Sequence, residues 1–453
     1  MAPPAFFGLA IVLAGDLPGG PLVRFFILAV LALLIVGIVA AVAYVGWTRT
    51  TFWFDDDGDL RVASGLIRRQ ERRLQLSRLQ AVDVVQPLIA RLVGLAELKP
   101  EVAGGESGSV SLAFLGEADA QALRNELLAR AAGVRTGDQD AAPEAPERVL
   151  LRVPPRDLAL SLVLSESLIF GVLIGGAVIV VTLLTQGGAG LVGLLLAVGI
   201  PGVSAVNGFL ANYDFTVAES PDGLRLRRGL LSTRAQTVPP GRVQAIEISQ
   251  PLLWRQHGWV RLRVNVASYG TGNSDADGGS TVLLPVAPVA VANALLARVL
   301  PGVEVEQVRL SPAPAAARRR AWIQFPRLAA GYDDKVFVAR SGRLVRRISV
   351  IPHVRTQSVR ITQGPWERWL GLASVHVDST PGPVTVTAAH RTLEEATEMA
   401  TAQAARAHAA RLVAPPDRWM ADRMRRLVAA RRAAAGVGTD GDTDVDTERA
   451  GAS

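Results

Sequence analysis

A pattern of five residues recurs three times along this chain with the same internal spacing, and this repeat limits the possible folds more than any other feature. Each copy reads Gly, twelve residues, Arg, one residue, Gln, five residues, Gln, seven residues, Gly. The copies are Gly65, Arg78, Gln80, Gln86, Gly94; Gly229, Arg242, Gln244, Gln250, Gly258; and Gly342, Arg355, Gln357, Gln363, Gly371. Five such identities coincide by chance about once in a million at a given offset, so the chain contains three copies of one unit.

Alternating apolar stretches around each signature predict short β-strands. Two such stretches, joined by a turn signal, surround the start of each copy, and further alternating runs follow the glutamines. Each copy then closes with a helix-like segment, and these segments are Glu117–Ala132, Val289–Val299 and Leu393–Leu412. Several strands and one terminal helix, over roughly 85 residues, predict a small curved or barrel-like sheet capped by a helix. The expected fold class is therefore α+β.

Two long apolar segments predict transmembrane helices. Phe25–Trp47 has 23 uncharged positions, which as a helix reach roughly 35 Å and can cross a hydrocarbon core of about 30 Å. Residues 158–213 are interrupted only by Glu166 and by a small loop at 186–190, so they predict a two-helix transmembrane hairpin. We expect Glu166 at the membrane interface, because a charge at mid-bilayer is costly. The apolar stretch Ala5–Gly15 is either the tail of a truncated first span or a surface-lying segment, and the side of the N-terminus stays open.

The predicted crossings also fix a topology. Two crossings separate residues 48–157 from residues 214–453, so both regions lie on one side of the membrane. Six arginines flank the spans on that side: Arg49, Arg152, Arg156, Arg225, Arg227 and Arg228. The hairpin turn carries no charge. By the positive-inside rule we expect a multi-pass protein of the cytoplasmic (inner) membrane with its folded domains in the cytoplasm.

Short motifs accompany the signature in each copy. They are Gly65-Leu66-Ile67, Arg78-Leu79-Gln80, Gln86-Pro87-Leu88 and Leu92-Val93-Gly94-Leu95; Gly229-Leu230-Leu231, Arg242-Val243-Gln244 and Gln250-Pro251-Leu252; and Val354-Arg355-Thr356-Gln357-Ser358-Val359 and Leu370-Gly371-Leu372. With these motifs, about three fifths of the chain resembles the bacterial pleckstrin-homology-like (PH-like) domain found repeated in YdbS-like and YdbT-like membrane proteins. The resemblance implies three PH-like domains with a recognition role and supplies no biochemical activity.

In the family that the chain resembles, a membrane hairpin commonly precedes a PH-like domain. Gln80 and Gln244 are 164 residues apart, whereas Gln244 and Gln357 are 113 residues apart. The difference of 51 residues is about the length of the predicted hairpin, so we expect no hairpin ahead of the third domain. Two departures, His257-Gly258-Trp259 and Gln363-Gly364-Pro365, weaken the expectation that all three domains bind the same partner.

These features divide the chain into consecutive segments. They are an N-terminal membrane segment (1–47, span about 25–47), PH-like domain 1 (48–132), a linker (133–157), the transmembrane hairpin (158–213), PH-like domain 2 (214–304), a linker (305–332), PH-like domain 3 (333–413) and a C-terminal segment with an acidic, disordered tail (414–453).

Clustered arginines and the signature residues are the candidate functional positions. The predicted anion- or partner-binding residues are Arg68, Arg69, Arg72, Arg73, Arg225, Arg227, Arg228, Arg346 and Arg347, with Arg343 beside the last two. A guanidinium binds phosphate well, and near an anionic leaflet each basic residue contributes about 1 kcal/mol; the alternative is a solvated strand face. We expect the signature glycines to have a positive φ or a close backbone neighbour. The signature glutamines either bind a partner's backbone at a sheet edge or satisfy amides inside their own domain.

The sequence contains no recognisable catalytic or cofactor site. Cysteine is absent, which excludes disulfides, thiolate metal sites and cysteine nucleophiles. The five histidines lack ligand spacing, and no P-loop, GxSxG or GxGxxG motif occurs. Aromatic residues make up 5% of the chain, so nucleic-acid binding is not expected, and no small-molecule substrate is indicated.

We therefore expect a non-catalytic, membrane-anchored scaffold that gathers protein partners, or copies of itself, at the cytoplasmic membrane surface. Several similar modules on one chain favour avidity, because a second contact made by a tethered module is nearly intramolecular. The alternative is a module that binds anionic lipid, or an accessory protein in transport or stress resistance.

Overall fold

The computed structural model describes residues 30, 33, 34, 37, 51–55, 59–64, 70–76, 79–102, 112–131, 148–185, 190–220, 223–238, 241–267 and 282–414. The chain divides into two compact units, residues 1–76 and residues 77–453. The four isolated positions between 30 and 37 are helical. The rest of the predicted span Phe25–Trp47 lies outside the described residues.

The first unit contains a three-stranded antiparallel sheet in the order β1-β2-β3. Its strands are β1 (Thr51–Phe54), β2 (Leu60–Ser64) and β3 (Gln70–Leu74). Leu60, Val62 and Leu74 are buried and give the sheet one apolar side. Arg61 alternates with them along β2, and its Nε donates to Asp55 Oδ2 at 3.0 Å. The alternation is that of a half-buried strand.

The second unit contains the other described strands and the helices from residue 88 onward. Its strands are β4 (Leu79–Gln86), β5 (Leu95–Val102), β6 (Leu112–Gly116), β7 (Arg148–Arg152), β8 (Thr216–Ser220), β9 (Gly223–Arg228), β10 (Thr233–Val238), β11 (Val243–Pro251), β12 (Trp259–Val266), β13 (Val282–Pro288), β14 (Ser311–Pro312), β15 (Ala329–Tyr332), β16 (Val336–Ser341), β17 (Val345–Pro352), β18 (Ser358–Thr362), β19 (Leu372–Asp378) and β20 (Val386–Thr392). Its α-helices are α1 (Leu88–Leu92), α2 (Glu117–Ala131), α3 (Pro155–Val163), α4 (Glu166–Thr185), α5 (Gly190–Asn212), α6 (Trp254–His257), α7 (Val289–Val299), α8 (Ala317–Arg320), α9 (Pro365–Trp369) and α10 (Leu393–Val413).

The sheets of the second unit cross from one repeat into the next. We call the strands before the first signature glutamine of a repeat its front half, and the three strands that begin at this glutamine its back half. The two seven-stranded sheets have the orders β6-β5-β4-β10-β9-β8-β7 and β13-β12-β11-β17-β16-β15-β14, and a three-stranded sheet has the order β18-β19-β20. Each seven-stranded sheet therefore joins the back half of one repeat to the front half of the following repeat.

The expected barrel is wrong for the sheets that the structure describes, since none of them closes. The reason is visible at β11, which pairs with β12 on one edge and with β17 of the next repeat on the other. Both edges of β11 are thus occupied, and none is left to close a barrel with its own front half. The PH-like units are open, sheet-rich and fused to one another.

A terminal helix covers each back half, as the sequence predicts. Helix α2 packs on β4–β6, α7 on β12 and β13, and α10 on β18–β20. The predicted segments Glu117–Ala132, Val289–Val299 and Leu393–Leu412 are confirmed to within one residue at each end. Fully buried side chains between helix and sheet include Leu98, Leu127, Leu262, Leu284 and Val375.

Helices α3, α4 and α5 are inserted between β7 and β8, which pair with each other in an antiparallel manner. Helices α4 and α5 pack against each other, and the residues 186–189 that connect them are not among those described. Within the described residues, no single helix has the length and apolarity needed to cross a membrane. The pair formed by α3 and residues 166–182 of α4, bent by 40°, has both.

The two segments predicted as linkers are wrong in part, because they contain folded structure. Strand β7 lies within 133–157, and β14, α8 and β15 lie within 305–332. Both β7 and β14 pair with the strand that follows an insertion, so neither pairing is evident from local composition. The insertion in repeat three is residues 313–328, at the place where repeat two carries its helical hairpin.

Candidate functional site

Two joints connect the repeats, and they are the first candidate for a functional site. In joint one, β4 of repeat one pairs with β10 of repeat two, and in joint two, β11 of repeat two pairs with β17 of repeat three. Gln86 lies opposite Thr233 in joint one, and Gln250 lies opposite Arg346 in joint two. Both glutamines are the second of their signature, and both partners follow the signature glycine by four residues. The two joints therefore share one register.

An arginine reaches across joint one from the short helix α1. The Nη1 atom of Arg91 donates to the carbonyl oxygen of Leu230 at 3.4 Å and to Thr233 Oγ1 at 3.5 Å. Leu230 directly follows the signature Gly229 of repeat two. Arg91 thus holds the turn that leads into β10.

Joint two repeats this contact with equivalent residues. The Nη2 atom of Arg255 in α6 donates to the carbonyl oxygens of Arg343 and Leu344, the latter at 3.2 Å. Arg91, Arg255 and Arg368 each follow the second signature glutamine by five residues. Sequence analysis missed this arginine, although its recurrence at a fixed spacing was available as a signal.

Side-chain bonds add to joint two. Asn265 in β12 is 1% exposed; its Nδ2 donates to the Val384 carbonyl oxygen at 2.8 Å, and its Oδ1 accepts from the Val384 N–H at 2.9 Å. A Cβ at Gly382 would lie 2.3 Å from Asn265 Oδ1, so a side chain there would displace the amide. Arg355 also donates to the carbonyl oxygen of Gly241 in repeat two. Repeats two and three are therefore linked by side chains as well as by a shared sheet.

A buried arginine ties the two halves of repeat three together. Arg391 in β20 is fully buried, and its guanidinium donates to the carbonyl oxygens of Ser311 and Pro312 at 2.8 and 3.0 Å. It also donates to Glu395 Oε1 at 2.8 Å. Burial lowers the pKa of Arg391, and the Glu395 carboxylate opposes this effect. An arginine stays protonated under such conditions, so the cluster is a buried, compensated charge.

The five signature glycines that the structure describes all have a positive φ. The sixth, Gly65, is not among the described residues. At Gly229 and Gly342 a Cβ would lie 1.9 Å from a backbone carbonyl oxygen, of Ser232 and Val345 respectively. These two positions therefore require glycine on grounds of space as well as of φ.

The second signature glutamines of repeats two and three bond within their own repeat. The Nε2 atom of Gln250 donates to the carbonyl oxygen of Trp259 at 3.1 Å, and that of Gln363 donates to Leu372 at 2.8 Å. In both cases the acceptor follows the glutamine by nine residues, so the side chain closes the loop around the short helix. This contact satisfies a carbonyl at the start of the next strand.

The predicted arginine clusters do not form uniform exposed patches. On β9, Arg225 and Arg228 are 8% and 3% exposed, whereas Arg227 between them is exposed. On β17, the backbone at Arg346 and Arg347 pairs with β11 in joint two, and the side chain of Arg346 is half-buried whereas that of Arg347 is exposed.

In the first unit, Arg72 and Arg73 are exposed on β3. The Nε atom of Arg73 donates to Asp59 Oδ2 at 2.9 Å. Arg68 and Arg69, the other two members of this cluster, lie outside the described residues, and so does the signature Arg78.

A cleft of 780 Å³ lies where α3–α5 meet the sheets of repeat two, and it is the second candidate site. Arg228, Arg234 and Arg261 line it from the strands, and Glu166 lines it from the start of α4. Apolar and small residues of α5, among them Ile200, form the opposite wall. Sequence analysis named Arg228 but missed Arg234 and Arg261, because separate strands bring them together.

Arg261 is held in place at the base of this cleft. Its guanidinium carbon lies 5.2 Å from the Trp254 ring centroid, and its Nε donates to the Pro285 carbonyl oxygen at 3.2 Å. Burial lowers the pKa of Arg261, as does the neighbouring Arg263, while the Glu166 carboxylate acts in the opposite direction. The side chain keeps its charge, so the cleft presents a positive group beside an apolar wall.

Trp254 couples the cleft to the helical insertion. Its side chain is fully buried, and its Nε1 donates to the Ser161 carbonyl oxygen in α3 at 2.9 Å. A movement of α3 would therefore displace Trp254 and with it α6, the helix that also carries Arg255 of joint two.

A hydrogen-bond network surrounds Glu367 in α9, next to the end of β18. Burial raises the pKa of Glu367, but bonds from the Gly364 N–H, from Ser374 and from His390 outweigh it, so the pKa lies below its ordinary value. The three bonds are 2.9, 2.9 and 2.8 Å long.

On β19, burial and the charge of Arg360 lower the pKa of His376.

No group of three or more histidine and carboxylate side chains that could hold a metal ion occurs among the residues with described positions.

A family model described as "Bacterial PH domain" matches the chain three times, over residues 8–131, 167–324 and 310–407. The first two matches begin in apolar segments, and the third begins next to β14.

A relative among curated proteins is the UPF0699 transmembrane protein YdbT of Bacillus subtilis, which is 23% identical over 292 residues. The aligned region covers 58% of this chain and 58% of the relative, so the chain spans somewhat more than half the length of that protein. No solved structure matches the chain significantly.

Proposed function

The chain belongs to the bacterial PH domain family, and from this premise we propose that it is a non-catalytic, membrane-associated scaffold that binds protein partners through open edges of its sheets. PH-like folds serve recognition, and the function of such a fold depends on the sites that it presents. The observation that carries the proposal is the repetition of one edge-to-edge contact at joints one and two, in the same register. A back-half strand of this unit is thus a surface that accepts another strand.

The membrane part of the proposal rests on the helical insertion. Helix α4 exposes large apolar side chains, for example Leu173, Ile174 and Leu184 at 62%, 56% and 79%. Exposed apolar area of this extent fits a lipid environment better than water. Because β7 and β8 are adjacent strands, the helical insertion begins with α3 and ends with α5 on the same face of the folded protein. The relative named above is called a transmembrane protein, which agrees with this placement.

We expect the folded repeats to face the cytoplasm of the inner membrane. The chain has no cysteine, so single cysteines can be introduced without background. A cysteine in the 186–189 loop should react with an impermeant maleimide in intact cells, whereas Thr401→Cys should react only after lysis. Labelling of both sites in intact cells, or of neither, contradicts the orientation.

The scaffold function can be tested at β18, whose outer edge is exposed. A photo-crosslinking amino acid is placed at Ile361, which is 40% exposed on β18, or as a matched control at Leu412, which is 75% exposed on α10. After irradiation of native membranes we expect discrete protein adducts from position 361 that are missing from position 412. Adducts that are absent from position 361, or the same at both positions, would refute the scaffold function.

The cleft favours a second candidate function, the binding of an anionic lipid headgroup. Three arginines beside an apolar wall suit a ligand with an anionic head and an acyl chain, and a guanidinium binds phosphate through paired hydrogen bonds. In the proposed membrane placement the cleft lies where α4 begins, at the level of the headgroups.

Native mass spectrometry with added phosphatidylglycerol tests this second function. We expect the protein to retain the lipid, and the double variant Arg234→Gln/Arg261→Gln to lose it at the same lipid concentration. The control is Arg227→Gln, which changes an exposed arginine on β9 outside the cleft. Equal retention by all three proteins would refute a lipid site in the cleft.

A further inference from the structure

We infer that the chain associates head to tail with other copies of itself, with β18 of one copy pairing with β3 of the next in the register of joints one and two. The inference rests on the proposed scaffold function and names both the partner and the surface. It follows from which strand edges are filled within the chain and which are open.

The filled edges follow one rule. The first strand of a back half, β4 or β11, accepts the last strand of the next front half, β10 or β17. By position in the repeat, β18 corresponds to β4 and β11, and β3 corresponds to β10 and β17. Among the strands that the structure describes, nothing pairs with the outer edge of β18 or with that of β3. The described part of the chain therefore has one open acceptor edge, on β18, and one strand of the kind that such an edge accepts, β3, whose outer edge is also open.

The register can be stated residue by residue. In joint two, Ile248 lies opposite Ile348, and in joint one, Val84 lies opposite Ala235. The equivalent pair across the open edges is Ile361 with Glu71 of the next copy. The same register puts Arg360 opposite Arg72. The charge of Arg360 is compensated by Asp378, whose carboxylate oxygens accept from it at 2.6 and 3.0 Å.

The open edge of β18 is followed by an arginine equivalent to the one that donates hydrogen bonds across each joint. Arg368 in α9 occupies the position of Arg91 and Arg255, and it is exposed. Arg91 and Arg255 donate to the turn that follows the signature glycine of the next repeat. Arg368 is therefore exposed at the position from which such a bond is made.

Exposed aromatic surface surrounds this arginine. Trp366 and Trp369 are 59% and 74% exposed and pack edge to face with ring centroids 5.8 Å apart. Exposed tryptophans beside an open strand edge are typical of a binding surface. Because β18 and β3 are different surfaces, the contact is heterologous, and it generates rings or filaments rather than closed twofold dimers.

Cysteine cross-linking between two differently tagged copies tests the inference in native membranes. One copy carries Ile361→Cys and the other Glu71→Cys, and a short bifunctional thiol reagent is added. We expect a covalent dimer that contains both tags. The matched control Arg360→Cys with Glu71→Cys differs by one residue, which turns the side chain to the other face of the strand, and should give little product.

Four further variants complete the test. Ile248→Cys/Ile348→Cys in one chain should form an intrachain link, which shows that the reagent works and that joint two is folded. A chain with both Ile361→Cys and Glu71→Cys should give a ladder of oligomers. Arg368→Glu should lower the association constant roughly tenfold or more, as expected for the loss of charged hydrogen bonds, whereas Arg298→Glu on α7 should not.

The outcomes separate this inference from the scaffold function. A mixed dimer specific to the 361–71 pair supports head-to-tail association. A link that forms only within single chains overturns head-to-tail association. If the thiols give no product but the photoprobe at Ile361 captures a different protein, head-to-tail association is overturned and the scaffold function stands. If the intrachain control links but neither thiols nor the photoprobe at position 361 capture any protein, both fail.

Discussion

Replacing Asn265 by alanine should loosen repeat three from repeat two. Asn265 satisfies both the N–H and the carbonyl oxygen of Val384, and both residues are buried, at 1% and 4% exposure. A buried backbone group that loses its partner costs about 1–3 kcal/mol, so two such groups give about 2–6 kcal/mol. Water can enter the space that the amide leaves, so we expect a value near the lower limit, about 2–3 kcal/mol.

Hydrogen exchange of the segment 379–386, followed by mass spectrometry, measures this effect directly. If the segment exchanges through local opening, a loss of about 2 kcal/mol raises its exchange rate about 30-fold. The control is Asn293→Ala, because the Asn293 side chain bonds to Glu306 at the surface, at 3.1 Å, and its loss should change stability by less than about 0.5 kcal/mol. An exchange rate for Asn265→Ala within about threefold of the unsubstituted protein would refute the reasoning.

Four further predictions test other parts of the structure. Arg391→Leu should lower the free energy of unfolding by about 3 kcal/mol, because four hydrogen bonds donated by the buried Arg391 guanidinium are lost and the Glu395 carboxylate loses its positive partner. A decrease of less than about 1 kcal/mol in a denaturant titration would contradict this. Gly342→Ala should lower the melting temperature more than Gly371→Ala, because a Cβ meets a carbonyl oxygen only at the first site, and equal shifts would be evidence against the packing argument. The folded-state pKa of Glu367 is depressed, so its stabilisation is present above its ordinary pKa, near 4.5, and is lost as the pH falls through the lower folded value; Glu367→Gln should flatten this acid limb. His376, whose folded pKa is also depressed, should begin to destabilise the protein as the pH falls below about 6.5, and a melting temperature constant from pH 7 to pH 5 would contradict this.

Several elements were predictable because they depend on local residue patterns. The helices α2, α7 and α10 were predicted as helix-like segments that close each copy of the repeat, and they occur where expected. The absence of a hairpin ahead of repeat three follows from the spacing of the glutamines, and residues 313–328 occupy its place. Short strands such as β7 and β14 were missed, because each has only a few residues and its partner strand follows an insertion.

The candidate sites were predictable only in part. The arginine clusters on β9 and β17 were expected as anion- or partner-binding surfaces, but Arg225 and Arg228 are buried, and the strand β17 pairs with β11 in joint two. Arg261 and Arg234 form one cleft with Arg228 because strands distant in sequence meet the helical insertion. A cluster of this kind has no linear spacing that a sequence search can detect.

The sequence by itself determined that one unit is present three times, where its terminal helices lie, and which glycines each unit needs for its turns. These properties depend on side chains that act within a few residues of one another. Only the tertiary structure decided which strands are neighbours, and it placed the back half of each repeat against the front half of the next. The reason is that every strand carries the same backbone donors and acceptors, so a side-chain pattern fixes the face of a strand but does not name its partner.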